Sequence, residues 1–116
     1  MRARDLRRLC TFYRTAVEAV LYAKLPGPDQ ALADLRASLD GLRMTGDWRV
    51  DGAEIPTSFV ASVLSSVRLW LDESNAARRE ALTSWASFNV DTLAKWLDGT
   101  LFARAEPESY WQKIGG

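Results

Sequence analysis

The sequence contains no histidine, so the groups considered first for acid–base or nucleophilic chemistry are its carboxylates and its one thiol. Histidine is the commonest general base near neutral pH and the commonest metal ligand, so its absence excludes Ser-His and Cys-His nucleophile pairs. Asp72 and Glu73 are adjacent, but neighbouring residues on a helix do not face each other. Asp47, Asp51 and Glu54 surround one turn without the spacing of a calcium loop. We therefore expect no catalytic residue, no metal ligand and no cofactor, and we expect that the protein is not an enzyme.

Arginines near the N-terminus indicate a ligand more directly than the carboxylates and the thiol do. Residues 1–25 carry six basic and two acidic side chains, whereas the whole chain has a formal charge of zero. Four of these arginines fall on one arc of roughly 120°, opposite the apolar residues of the same segment, at about 100° per residue. They are Arg4, Arg7, Arg8 and Arg14, and we call them the arginine ridge. Such a ridge is typical of contacts with the phosphate backbone of RNA or single-stranded DNA. Alternatively, the four arginines form an ordinary solvated face. They then lower the stability of the helix slightly, because cations near a helix N-terminus oppose its dipole.

The five tryptophans divide into two groups by position. Trp70, Trp85 and Trp96 recur at the spacing of an apolar helix face, so we expect them in the core. Trp48 and Trp111 lie outside the apolar stripes. Because aromatic side chains outside a core often anchor interfaces, these two are candidate contacts with a protein partner.

Two further residues lie within apolar stripes. Cys10 is expected to be a small core residue, and a single cysteine excludes an internal disulfide and favours a reducing, cytoplasmic location. Asn89 is expected to be a buried amide that fixes the register of its helix.

No apolar run approaches the about 20 residues that a membrane span needs, so no membrane partner is expected.

Four amphipathic helices must position these residues. The first covers roughly residues 4–24 within the basic segment 1–25, and the second begins at Pro28, a residue favoured at the first position of a helix. Pro56 begins the third helix, and Ser74 or Asn75 caps the fourth. Gly99 is suited to end the fourth helix.

Residues 47–56, DWRVDGAEIP, interrupt this helical pattern. The pair Asp51-Gly52 favours a two-residue hairpin turn, because both central residues of that turn need positive φ. The resulting register places Trp48 opposite Ile55, and the hairpin presents Trp48 either to the protein's own core or to a partner. The sequence therefore predicts an all-α, four-helix bundle-like single domain over residues 1–116, with a short β-hairpin insertion near residues 48–55 and a tail over 103–116.

In general form the chain resembles the helical small subunits of CRISPR effector complexes. The shared features are its size, its helical bundle, the arginine ridge and the lack of a catalytic set. This resemblance is architectural and transfers no residue roles. It implies a non-enzymatic subunit of a nucleoprotein complex, which contacts protein neighbours and the backbone of RNA or single-stranded DNA.

A second resemblance covers less than half of the chain. The segment GAEIPTSFVASVLSSVRLWLDESN and the helix that ends in Leu93-Ala94-Lys95-Trp96 resemble the third and fourth helices of flagellar export chaperones. That resemblance implies a hydrophobic groove for an unfolded client protein. The alternative prediction is therefore an export chaperone or another protein-binding helical adaptor.

Overall fold

The computed structural model describes residues 2–22, 27–43, 50 and 55–99, with the backbone alone at Arg43. Within these residues the chain forms four α-helices and no β-strand. The helices are α1 (Ala3–Leu21), α2 (Pro28–Arg43), α3 (Thr57–Asp72) and α4 (Ala76–Leu97). The predicted all-α fold with four helices is confirmed for this part of the chain. None of the described helices is long and apolar enough to cross a membrane.

The helix ends follow from local sequence. Pro28 is the first residue of α2, where its missing N–H leaves no hydrogen bond unmade. Asn75 caps α4 by accepting a hydrogen bond from the backbone N–H of Arg78 at 3.0 Å. Gly99 follows α4 with a φ of +73°, and its N–H donates to the carbonyl of Trp96. A left-handed glycine at this position closes the last turn of a helix.

Contacts between the helices show that α4 runs antiparallel to both α3 and α1. Phe59 at the start of α3 packs against Trp96 near the end of α4, with ring centroids 5.4 Å apart. Arg7 near the start of α1 hydrogen-bonds the carbonyl of Leu97 at the end of α4. The most extensive packing joins α1 to α2 and α3 to α4, while α1 also packs on α4 and α2 makes a smaller contact with α3. The four helices therefore enclose one core.

The core is built from the inward face of each helix. Cys10 is buried on the inward face of α1, and Trp70 of α3 is completely buried. Among the residues that the structure describes, the largest fully buried side chains are Trp70, Tyr13, Leu6, Leu9, Leu35, Leu39 and Leu93. The ring of Tyr13 meets that of Trp70 edge to face at a centroid distance of 5.3 Å, which is a favourable arrangement for two aromatic rings. The predictions for Cys10 and Trp70 are confirmed.

The prediction that Trp85 belongs to the core is wrong, because 46% of its surface is exposed. Apolar residues lie on every side of α4, so more than one face could have turned inward. The face that is buried contains Ala86, Val90, Leu93 and Leu97 together with Thr83. Trp96 is only partly buried at the edge of the core, and Asn89 is half-buried rather than fully enclosed.

The β-hairpin predicted for residues 48–55 is not supported by the described residues. Of its residues, Val50 and Ile55 are described; both are buried, and neither belongs to a strand. The other residues of the predicted hairpin, and the predicted tail over 103–116, lie outside the described residues. Val50 and Ile55 belong to the buried core, and whether Trp48 faces the core or a partner remains a prediction.

Candidate interaction surfaces

The arginine ridge is exposed on α1, but the structure divides it. Arg7 and Arg14 lie on the side that faces α4; Arg14 forms an ion pair with a carboxylate of that helix, and Arg7 forms one with the carboxylate of the residue that caps its C-terminus. Arg7 Nε lies 3.2 Å from Asp98 Oδ1, and Arg14 Nη2 lies 3.3 Å from Asp91 Oδ1. Arg7 also donates to the carbonyl of Leu97 at 2.7 Å, which satisfies a C-terminal carbonyl of α4. Half of the ridge therefore serves the packing of α1 on α4.

Arg4 and Arg8 form the other half of the ridge. Both are exposed, and neither makes an ion pair with another described residue. Asp5 lies one turn from Arg8 on the same rim of α1. The positive charge available to a ligand on the described part of α1 is therefore smaller than the sequence indicates.

A groove of about 460 Å³ lies between α1 and α2. Its walls carry Asp5 and Arg8 from α1 and Asp34 from α2, and Phe12 lines it together with Gly41. A Cβ atom built at Gly41 meets nothing within 4 Å, so the missing side chain leaves this part of the groove open. The charges in the groove have both signs, so electrostatics selects neither a cationic nor an anionic ligand.

Two large aromatic side chains are exposed on the outward face of α4. Phe88 is 69% exposed and Trp85 is 46% exposed, one turn apart, and Ala81 precedes them by one further turn. We call Ala81, Trp85 and Phe88 the aromatic seam. Single exposed apolar residues are common on protein surfaces, but large aromatic residues grouped on one face mark interaction sites.

Buried polar contacts hold α4 in the orientation that exposes this seam. The indole N–H of Trp70 donates to the Thr83 hydroxyl at 2.9 Å, and the Tyr13 hydroxyl lies 2.9 Å from that of Ser87. Arg79 donates to two carbonyls at the end of α3, and its guanidinium carbon lies 5.3 Å from the Trp70 ring centroid. Every buried side-chain polar atom of the described residues has a hydrogen-bond partner. The rotation of α4 about its axis is therefore fixed by specific bonds as well as by apolar packing.

Burial changes the acidity of two groups on α1. It raises the pKa of the Cys10 thiol to about 11 and that of the Tyr13 hydroxyl to about 12, because the charged forms would lose hydration. A thiol with a raised pKa is a poor nucleophile. The part of the chain that the structure describes contains no group of three or more potential metal-ligating side chains.

Sequence reasoning missed Thr83, Arg79 and the ion pairs of the ridge. One signal could have indicated the ion pairs: Arg7 and Arg14 are seven residues apart, and so are Asp91 and Asp98. Two helices that pack antiparallel can join both pairs in one register.

The candidate partner contacts Trp48 and Trp111 lie outside the described residues and remain predictions. No protein-family model, curated protein or solved structure matches this chain, so the resemblances to CRISPR small subunits and to export chaperones also remain predictions.

Proposed function

We propose that the protein is a non-enzymatic subunit of a larger assembly and that it binds a protein neighbour through the aromatic seam of α4. The observation that carries this proposal is the exposure of Trp85 and Phe88 beside each other on one helix face. A helix that is apolar on all sides is normally covered on all sides. In α4 one face is covered by α1 and α3, and the seam is the face left for a partner.

The rigid support of the seam favours binding over random exposure. The bonds from Trp70 to Thr83 and from Arg79 to the end of α3 fix the rotation of α4. A surface that is already ordered loses little conformational entropy on binding. A larger part of the free energy of its apolar contact therefore remains as binding affinity. Trp and other aromatic residues are also enriched among the residues that dominate interface energies.

The experiment is isolation of tagged chain from cells of its source, followed by native mass spectrometry. We expect the native chain in a stoichiometric complex with another protein, and we expect the double variant Trp85→Ser, Phe88→Ser to be recovered without it. The matched control is Leu69→Ser, because Leu69 is an exposed apolar residue of α3, 54% accessible, outside the seam. A double variant that keeps the complex while it remains folded by circular dichroism would contradict the proposal.

A second candidate function adds nucleic acid to the assembly, as in the predicted nucleoprotein subunit. Its support is the pair of exposed arginines Arg4 and Arg8, which make no ion pair with another described residue. Neutralising phosphate contacts releases counterions and therefore sets the salt dependence of binding. The zero net charge of the chain limits this candidate to a local contact within a larger complex.

Two double variants separate this candidate from a structural role of the ridge. We expect Arg4→Gln, Arg8→Gln to weaken single-stranded RNA or DNA binding and to flatten its salt dependence, with no loss of stability. We expect Arg7→Gln, Arg14→Gln to change stability by about 0–2 kcal/mol, since exposed ion pairs each contribute at most about 1 kcal/mol. If the native chain binds no nucleic acid at low salt, the candidate is wrong.

A further inference from the structure

The aromatic seam continues at both ends in a regular pattern. Counting along α4, the outward residues Arg78, Ala81, Trp85, Phe88 and Thr92 are separated by three, four, three and four positions. This alternation is the spacing that one helix presents to another when their side chains interdigitate. At a rise of 1.5 Å per residue, the stretch from Ala81 to Thr92 spans about 16 Å, or three turns. The pattern therefore fits one helix of a partner that lies along α4.

One end of this face carries a positive charge, that of Arg78. Arg78 precedes the apolar stretch by one turn and makes no ion pair with a described residue, and Lys95 follows Thr92 by three positions. The carboxylates of α4 nearest to the seam in sequence are Glu80 and Asp91. Both lie about 90–110° around the helix from the centre of the seam, and Asp91 is paired with Arg14.

This charge arrangement disfavours a second copy of the chain as the occupant. A parallel pairing of two α4 helices places Arg78 opposite Arg78. An antiparallel pairing, in which Trp85 meets Phe88 of the other copy, places Arg78 opposite Lys95. Neither arrangement places a carboxylate opposite Arg78, so a second copy leaves the Arg78 charge uncompensated, and charged positions of this kind select partners in coiled coils.

We infer that the aromatic seam takes a single amphipathic helix of a different protein, with apolar residues at alternating three- and four-residue spacing and a carboxylate opposite Arg78. This inference rests on the proposed function and deepens it, since it states the chemistry of the neighbour. Apolar contact with Trp85 and Phe88 supplies the affinity, and the carboxylate selects the partner and its orientation. Electrostatic complementarity contributes to specificity in this way at many interfaces.

Two synthetic peptides test the inference with the full chain. Both are amphipathic helices of the same length, with leucine at the positions that face the aromatic seam. They differ only at the position that faces Arg78, which is glutamate in one peptide and lysine in the other. Binding is followed by isothermal titration calorimetry at low salt. We expect the glutamate peptide to bind about fivefold or more tightly than the lysine peptide. We expect Arg78→Glu to reverse that preference and Phe88→Ser to abolish binding of both peptides, while Leu69→Ser leaves both affinities unchanged.

Three results would overturn the inference. Equal affinity of the two peptides would show that charge does not select the partner. Failure of both peptides to bind would show that the aromatic seam does not take a helix. Sedimentation of the native chain provides the third, because a dimer that is lost in Phe88→Ser would identify a second copy as the occupant. The isolation experiment judges the proposed function separately, since a stoichiometric complex that depends on Trp85 and Phe88 can persist although the helical, acidic character of the partner is wrong.

Discussion

Trp70 of α3 donates its indole N–H to the hydroxyl of Thr83 on α4 at 2.9 Å, inside the core. The same hydroxyl donates to the carbonyl of Arg79 one turn earlier at 2.8 Å. An indole N–H in a protein core needs an acceptor, and Thr83 is placed to provide it. This bond therefore ties the rotation of α4 to Trp70, the largest fully buried side chain among the described residues, and it leaves Trp85 outside.

Replacing Thr83 with valine should destabilise the protein by about 1–3 kcal/mol, because the indole N–H of Trp70 would be left buried without an acceptor. The measurement is the free energy of unfolding in urea. Thr83→Ser keeps the hydroxyl and should lose less. The control is Thr11→Val, because the hydroxyl of Thr11 also bonds a carbonyl one turn earlier but is exposed. Equal losses in Thr83→Val and Thr11→Val would show that the Trp70 bond contributes nothing specific.

Replacing Arg79 should loosen the junction between α3 and α4. Its guanidinium donates to the carbonyls of Trp70 at 3.2 Å and Leu71 at 3.1 Å, which α3 cannot satisfy within its own last turn. Arg79→Met keeps the aliphatic stem but removes both donors, so we expect a loss of about 1–3 kcal/mol. Arg79→Lys should recover only part of this, because an ammonium group lacks the planar fork. The neighbouring Arg78→Met, which removes an exposed side chain, should stay near the native stability in the same urea titration.

The first helix could be predicted from sequence in detail, whereas the orientation of α4 could not. Apolar residues of α1 lie on one face, and that face is the buried one, with Leu6, Leu9, Cys10 and Tyr13. Apolar residues of α4 surround the helix, so periodicity alone cannot choose between the face of Val90 and that of Phe88. The face that is buried contains Thr83, a polar residue whose burial makes sense only with its partner on another helix.

The arginine ridge shows the same limit for the candidate site. The angular position of a residue on a helix follows from its number, so placing Arg7 and Arg14 on one arc required no tertiary information. Their partners Asp98 and Asp91 are more than 75 positions away, and their approach depends on how α1 packs against α4. A charge on a helix can therefore be located from sequence, but whether it is available to a ligand depends on the packing.

Raising the pH should destabilise the protein between about pH 9 and 12. Burial raises the pKa of Cys10 from its ordinary 9 to about 11 and that of Tyr13 from 10 to about 12. The folded state therefore binds these protons more tightly than the unfolded state, so their contribution is complete below pH 9 and is lost as the pH rises through the folded values. Urea titrations from pH 8 to 12 should show this decline. Tyr13→Phe should flatten its upper part and Cys10→Ala its lower part. An unchanged slope in both variants would contradict the assignment.

Adding a methyl group at two glycines should have opposite effects on stability. Gly41 lies inside α2, where a Cβ atom would meet nothing within 4 Å. Gly41→Ala should therefore raise the free energy of unfolding by about 0.5–1 kcal/mol, because glycine in a helix interior loses more backbone entropy on folding than alanine.

Gly27 provides the matched comparison immediately before α2. Its φ of +76° lies in the left-handed region, which costs a residue with a Cβ atom about 1–2 kcal/mol. Gly27→Ala should therefore lower the stability although the added carbon has room, since its nearest neighbour is Gln30 Cβ at 3.8 Å. Urea unfolding of the two single variants and of the double variant measures both effects, and the double variant should show their sum because the sites are 14 residues apart on the chain and share no contact. A loss of stability in Gly41→Ala would show that this position needs glycine for a reason other than space, and the open groove beside α1 would then be the first place to look for it.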